Sequence, residues 1–212
     1  MSSTTGEALT CYQIWEEMNA LLSKERFVRN YSRCIQMGQP PGTGNSEGAT
    51  TQGYIVETDL FPLEALEVYS AYNLGDTIKD EDRAKYFSAH RGGSQGDYRK
   101  GMKDKVANVV DCLSKYPQSK RAVITVPNTT LPSHTSDDDA KCMREIHFYL
   151  DGDILNATVW MRAQAAEIFP KNIHFVGTLM DCVATSLTNN DKNIQIGELF
   201  YLATTIVSVR ED

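Results

Sequence analysis

The stretch from Arg144 to Ala163 constrains this chain more than any other. REIHFYL and DILNATVWMRA alternate apolar with polar residues and flank Asp151-Gly152, a dipeptide that tolerates positive φ in a two-residue turn. A hairpin is therefore predicted, with Ile146, Phe148 and Leu150 meeting Leu155, Ala157, Val159 and Met161 on one apolar side. Arg162 falls on the opposite side, with Thr158 and Trp160.

The remaining elements are read around this hairpin. Residues 8–24 put Leu9, Tyr12, Trp15, Leu21 and Leu22 on a broken helical stripe. The run MGQPPGTGNSEGATTQG, residues 37–53, is rich in Gly, Pro, Ser and Thr, has no periodicity, and reads as a mobile loop. Tyr54-Ile55-Val56 is strand-like, and Phe61-Pro62 opens a helix that the Gly75-Asp76 turn ends. The polar run over residues 79–101 reads as a solvated connection. Met102 to Lys115 carries Val106, Val109, Val110 and Leu113 at the spacing of a core-facing helix. Residues 121–126 are β-branched and apolar, as a buried strand requires. A helix follows from about Asn172 to Leu187, then a last apolar strand from Ile196 to Val209. No internal repeat is visible, and 212 residues make a single domain with its own core. The mix predicts an α+β fold with one largely antiparallel or mixed sheet.

Composition removes several function classes. Net charge is -7 and no basic tract tracks a phosphate backbone, so duplex nucleic acid is not an expected partner. No apolar run approaches the roughly 18 residues of a spanning helix, so no membrane partner is expected. The five cysteines are odd in number and widely spread, and MSSTTGEALT lacks the pattern of a secretory signal; reduced thiols in a cytoplasmic setting are expected. The four histidines show no ligand spacing, which predicts no metal site. Pro40 to Ser46 mimics a phosphate-cradling loop, but Asn45 stands where such a loop needs lysine and no helix-forming sequence follows. Asp137, Asp138 and Asp139 read as a solvated acidic loop rather than a Mg²⁺ site.

Cys142 opens the hairpin between Lys141 and Arg144, and cations beside a thiol favour its nucleophilic thiolate. Around it lies an ordered series: the basic pair Lys120-Arg121 opening a strand, Cys142 before a strand, the Asp-Gly hairpin, Arg162 ending the second strand, and Pro170-x-Asn172 at a helix start. In that order the chain resembles thymidylate synthase. Upstream, Glu67 to Thr77 looks like that family's helix ending in Gly-Asp-Thr, with one residue more, and Tyr98 falls where the family has a Tyr-Gly pair. The resemblance covers about residues 60–209 and is densest over 119–172.

It implies a thymidylate synthase-like mixed sheet packed by helices, dimerising through the sheet. It implies a transferase that adds a one-carbon unit, methyl or hydroxymethyl, to C5 of a pyrimidine nucleoside monophosphate through a cysteine–C6 adduct, with 5,10-methylenetetrahydrofolate as cofactor. Cys142 is then the nucleophile, with Glu67 moving protons at O4 and C5 and Tyr98 ordering the water around it. Arg162 supplies charge to the sulfur and grips the substrate phosphate, and Asn172 reads the pyrimidine edge. Gln164 joins the substrate-binding set. Lys120 and Arg121 complete the phosphate site of the neighbouring subunit in a homodimer, with lysine where the family has its first arginine. Arg29 or Arg33 stands in for a further phosphate arginine. Taken singly, Glu67 also reads as a residue on the wet side of its helix, Asn172 as an N-cap and Arg162 as a surface strand residue.

The departures from the family pattern are equally specific. Ala163, Ala165 and Ala166 replace polar residues that serve phosphate and folate. Val207 and Val209 stand where a His and a Tyr hold the sugar hydroxyl, so sugar recognition differs. The chain ends at Asp212, where the family continues into a tail that covers the folate. These departures keep open a nucleotide-binding or regulatory protein that has lost folate-dependent catalysis, or an enzyme acting on another heterocycle.

Overall fold

The computed structural model describes residues 8–38, 53–87, 91, 96–128, 133–136, 140–189 and 192–208. Most of the 37–53 loop, Asp137 to Asp139 and Val209 fall outside the described residues. The elements in chain order are α1 (Cys11–Leu22), β1 (Phe27–Gln36), α2 (Leu63–Leu74), α3 (Asp80–Tyr86), α4 (Met102–Lys115), β2 (Val123–Thr125), β3 (Met143–Asp151), β4 (Ile154–Met161), β5 (Gln164–Ala165), a 3₁₀ turn over Ala166–Ile168, α5 (Phe169–Leu187) and β6 (Gln195–Val207). The fold is α+β.

Six strands form one mixed sheet in the order β1-β6-β4-β3-β2, with β5 beside β6. The predicted hairpin is present in the predicted register: Ile146 opposes Val159, Phe148 opposes Ala157 and Leu150 opposes Leu155. Its turn sits one residue later than expected. Asp151 pairs with Ile154, so Gly152 and Asp153 are the two turn residues and Gly152 takes the positive φ of 61°. β4 and β6 run parallel, which demands a long crossover, and the 19-residue α5 supplies it.

The buried residues of the strands fall on one face of the sheet, and α1, α4 and α5 pack there. α1 begins with a capping box in which Thr10 Oγ1 accepts from Gln13 N at 3.2 Å and Gln13 Oε1 accepts from Thr10 N at 2.9 Å. Its buried stripe is Cys11, Ile14, Met18 and Leu22. Among the described residues no helix covers the opposite face of the sheet; Tyr149, Trp160 and Phe200 are exposed on β3, β4 and β6. Trp160 is steadied there by a hydrogen bond from Nε1 to Thr204 Oγ1 at 3.0 Å.

Four elements differ from the sequence reading. β1 is a strand in a stretch without apolar alternation, because an edge strand with one bare face buries only Tyr31 and Ile35. α3 lies within the polar run assigned to a connection, and buries only Tyr86. Residues 54–56 are not a strand; Tyr54 instead lies over α5, its hydroxyl donating to the Asp181 carboxylate and its ring 5.6 Å edge-on from that of His174. α5 begins at Phe169, three residues before the expected start, so Asn172 lies inside the first turn and is not an N-cap.

α2 and α5 meet along a polar seam. Ser70 Oγ is 2.7 Å from His174 Nδ1, and burial pushes that imidazole down to about 4, so it is neutral at pH 7. The close approach of Tyr54 to α5 depends on Gly177, where a Cβ would lie 2.1 Å from Tyr54 Cγ. Gly177→Ala is expected to destabilise the fold by about 2 kcal/mol through displacement of the ring. Urea denaturation measures it, and the cost should fall by more than half in a Tyr54→Ala background; an equal cost in both backgrounds would refute the ring contact as its cause.

Candidate active site around Cys142

Cys142 stands just before β3, and its position is set by backbone register. Pairing slips between Met143 and Glu145, a bulge that adds Arg144 to one strand only. Its effect is to bring Cys142 opposite Arg162, whose N–H donates to Cys142 O at 2.7 Å. The Arg162 guanidinium then folds back along the same pair. Nη2 donates to Ala140 O at 2.8 Å and lies 3.7 Å from Cys142 Sγ. The thiol is half-buried and the arginine exposed, so a fixed positive charge meets the sulfur at a solvent-reachable rim.

The inner wall comes from α2, the loop before α4, α5 and β6. Asn172 Nδ2 donates to Gln164 Oε1 at 2.9 Å, and Tyr201 Oη donates to the same oxygen at 3.0 Å. Gln164 Nε2 is spent on Ala165 O at 2.7 Å. Gln164 thus stands behind Asn172 and orients it, leaving Asn172 with donor and acceptor capacity toward a ligand. Tyr69 Oη donates to Gly96 O at 2.7 Å and lies 3.5 Å from Asn172 Oδ1. Tyr98 is buried, its N–H donating to Asn73 Oδ1 at 2.6 Å and its ring 5.9 Å from that of Phe175. Burial raises the Tyr98, Tyr69 and Tyr201 hydroxyls well above the usual phenol range, and the Cys142 charge adds to the rise in each, so all three are neutral at pH 7.

Lys171 is the member of this cluster that the sequence reading missed. It is 3% exposed, donates to Arg91 O and lies 4.6 Å over the Tyr69 ring. Burial lowers its ammonium to about 8, opposed by the charge of Cys142. A signal was available: it is the one lysine or arginine at the start of α5, FPKNIHFVG, which is apolar apart from Lys171, Asn172 and His174 and where every neighbour is buried.

The expected proton carrier is not in the cluster. Glu67 is exposed on α2, and two positions along a helix turn it about 200° from Tyr69, which occupies the centre of the buried face. The one extra residue between Glu67 and Gly75 accounts for this, since each residue rotates the helix by about 100°. Lys120 and Arg121 are exposed at the approach to β2. Arg33 is engaged with Glu17 of α1 through Nε at 3.0 Å, and Arg29 lies over the Phe27 ring at 5.1 Å; both are tied to other groups than the cluster. Val207 pairs with Phe27 and Ala165 at the end of β6. Among the described residues no group of three His, Cys, Asp or Glu is placed to hold a metal ion, and no helix is long and apolar enough to cross a membrane.

No family model matches the chain, and no curated protein matches it. Among solved structures it is similar to thymidylate synthase from T4 phage, with 13% identity over 94% of this chain and 77% of that one, at a TM-score of 0.63. The likeness is one of fold, and the fold is thymidylate synthase-like.

A buried ammonium with no carboxylate partner among the described residues costs stability that its burial alone cannot return. Lys171→Met is expected to stabilise the protein at pH 7 by about 2 kcal/mol, the relief of desolvation outweighing one lost hydrogen bond. The folded chain releases this proton near pH 8 and the unfolded chain holds it to 10.5, so the parent gains stability across that interval. The advantage of the methionine variant should therefore close as pH rises from 8 to 10.5, as read by chemical denaturation.

Proposed function

We propose that this protein is a transferase that adds a one-carbon unit to C5 of a pyrimidine nucleotide through a covalent adduct between Cys142 and C6 of the ring. The observation that carries the proposal is the Arg162 guanidinium 3.7 Å from Cys142 Sγ, on the rim of a cluster whose inner wall holds the Asn172 amide. A thiolate is the nucleophile in such an addition, and the Arg162 guanidinium is the cation beside the sulfur. Attack at C6 moves electron density toward C5 and O4, so C5 becomes the nucleophile that accepts the new carbon. Asn172 supplies a donor and an acceptor for N3 and O4. Tyr98 and Tyr69, both neutral, lie close enough to feel the charge of Cys142 and order the groups around the reacting edge. Arg162 is also the exposed cation at the rim, suited to a phosphate in forked geometry.

The donor that the resemblance implies is 5,10-methylenetetrahydrofolate. Its pterin edge presents N–H groups that need acceptors; Asp97 accepts from Tyr72 Oη at 3.1 Å and Glu167 from Ser208 Oγ at 2.9 Å, and each carboxylate keeps acceptor capacity beyond that bond. Addition of Cys142 to the ring needs no donor and can be tested by itself. A nucleotide-binding protein without folate chemistry is the second reading, and Ala163, Ala165, Ala166 and Val207 favour it.

The bare aromatic face of the sheet suits a second copy of this chain, which would bring Lys120 and Arg121 to the phosphate of the opposite subunit. Light scattering at micromolar concentration is expected to give a dimer, and Trp160→Glu with Phe200→Glu a monomer. A monomeric parent protein would remove the shared phosphate site.

Incubation with 5-fluoro-dUMP or its ribose counterpart, with and without methylenetetrahydrofolate, is expected to add the nucleotide mass to the protein. The adduct should vanish in Cys142→Ser and form about 10²-fold more slowly in Arg162→Met. Tight binding with no mass shift would favour the noncovalent reading.

A further inference from the structure

Addition of a thiolate to C6 leaves negative charge on O4, and some group has to meet it. Glu67 is on the wrong side of α2. Lys171 is adjacent to Asn172 in the first turn of α5, and its Nζ and the Tyr69 hydroxyl both pack against Gly96, where an added Cβ would lie 2.6 Å from the first and 3.0 Å from the second, so the two are neighbours. Tyr69 Oη in turn lies 3.5 Å from Asn172 Oδ1. Ammonium, phenol and amide thus share one wall, with the sulfur close enough for its charge to act on both the lysine and the tyrosine. One ammonium proton is given to Arg91 O, and two remain for other acceptors.

Resting on the pyrimidine reading above, we infer that Lys171 is the proton donor to O4 when Cys142 adds to the ring. The S–C6 bond forms, the C5=C6 π pair moves to C4–C5, the C4=O4 π pair moves to oxygen, and that oxygen takes a proton from Nζ. The products are an enol adduct and a neutral amine, and elimination of the thiolate returns the proton. A phosphate clamp is a poorer role for this lysine: at 3% exposure it lies beneath the rim, where the exposed Arg162 already offers a guanidinium. A structural role is poorer too, since its partners are one carbonyl and one ring face and the burial opposes its charge. A lysine that ionises near 8 gives up and recovers a proton near neutral pH, as a general acid must.

The test is exchange of the C5 hydrogen of dUMP and UMP in D₂O, followed by proton NMR, because C5 of the enol takes a deuteron from solvent. The parent is expected to exchange and Cys142→Ser not to. Lys171→Met should lose at least about 10²-fold in exchange while binding the nucleotide within threefold of the parent. Lys171→Arg keeps the charge without a transferable proton and should stay below a tenth of the parent rate. Lys171→Met exchanging within threefold of the parent, or full rescue by Lys171→Arg, overturns the role of Lys171 and leaves the adduct intact. A parent that exchanges neither nucleotide overturns the pyrimidine reading and this inference together.

Discussion

A one-residue slip in the ladder between β3 and β4 sets the geometry on which the candidate site depends. With regular pairing continued from Glu145 and Trp160, Met143 would face Arg162. The bulge at Arg144 advances the strand by one, and Cys142 takes that place instead. Because side chains alternate faces with a period of two, this single insertion decides whether a thiol or a buried thioether meets the guanidinium. Loops could not hold a 3.7 Å contact between a half-buried sulfur and an exposed arginine as reliably as a paired backbone does.

The hairpin and α4 were legible from their periodicity, whereas α1 was located on a broken stripe of which Leu22 alone is buried: Tyr12 is exposed, and Cys11, Ile14 and Met18 face the core instead. Cys142, Arg162 and Asn172 were singled out through their order along the chain; the structure sets Arg162 Nη2 3.7 Å from Cys142 Sγ and places Asn172 against Gln164 and Tyr69. β1 and α3 were not legible. Each buries one or two side chains, so burial leaves almost no trace in their residue pattern, and neighbours rather than local preference decide their form. Glu67 shows the opposite failure: residue type and approximate spacing matched, but one residue on a helix is about 100° of rotation, and the side chain faces water. Lys171 went unseen because a lone lysine is ordinarily a solvated residue, and only the packing of α2 against α5 reveals its burial.

The cluster is unusual in its balance of donors and acceptors. Arg162 and Lys171 bring two cations, three tyrosines bring neutral hydroxyls, and the Gln164 carbonyl is already used twice, by Asn172 and Tyr201. Such a wall is complementary to a ligand rich in carbonyl and phosphate oxygens, with Asn172 Oδ1 as the acceptor for a ring N–H. The Ala163, Ala165 and Ala166 run has the same sense, since it removes acceptors from the turn that leads into α5.

The one-sided sheet and the phosphate question are linked by the same physics. Arg162 Nη2 is committed to Ala140 O and to the sulfur, so a nucleotide monophosphate with close to two negative charges would leave it under-neutralised. Lys171 lies too deep to compensate without drawing the phosphate away from the rim. Lys120 and Arg121 are exposed. Under the proposed reading a second copy would stack on Tyr149, Trp160 and Phe200, and burying these side chains would supply association energy while the cation pair supplied charge at the rim. Under the proposed reading, assembly and substrate neutralisation are then one property of the fold, and disrupting the sheet face should impair nucleotide binding even though no residue of that face touches Cys142.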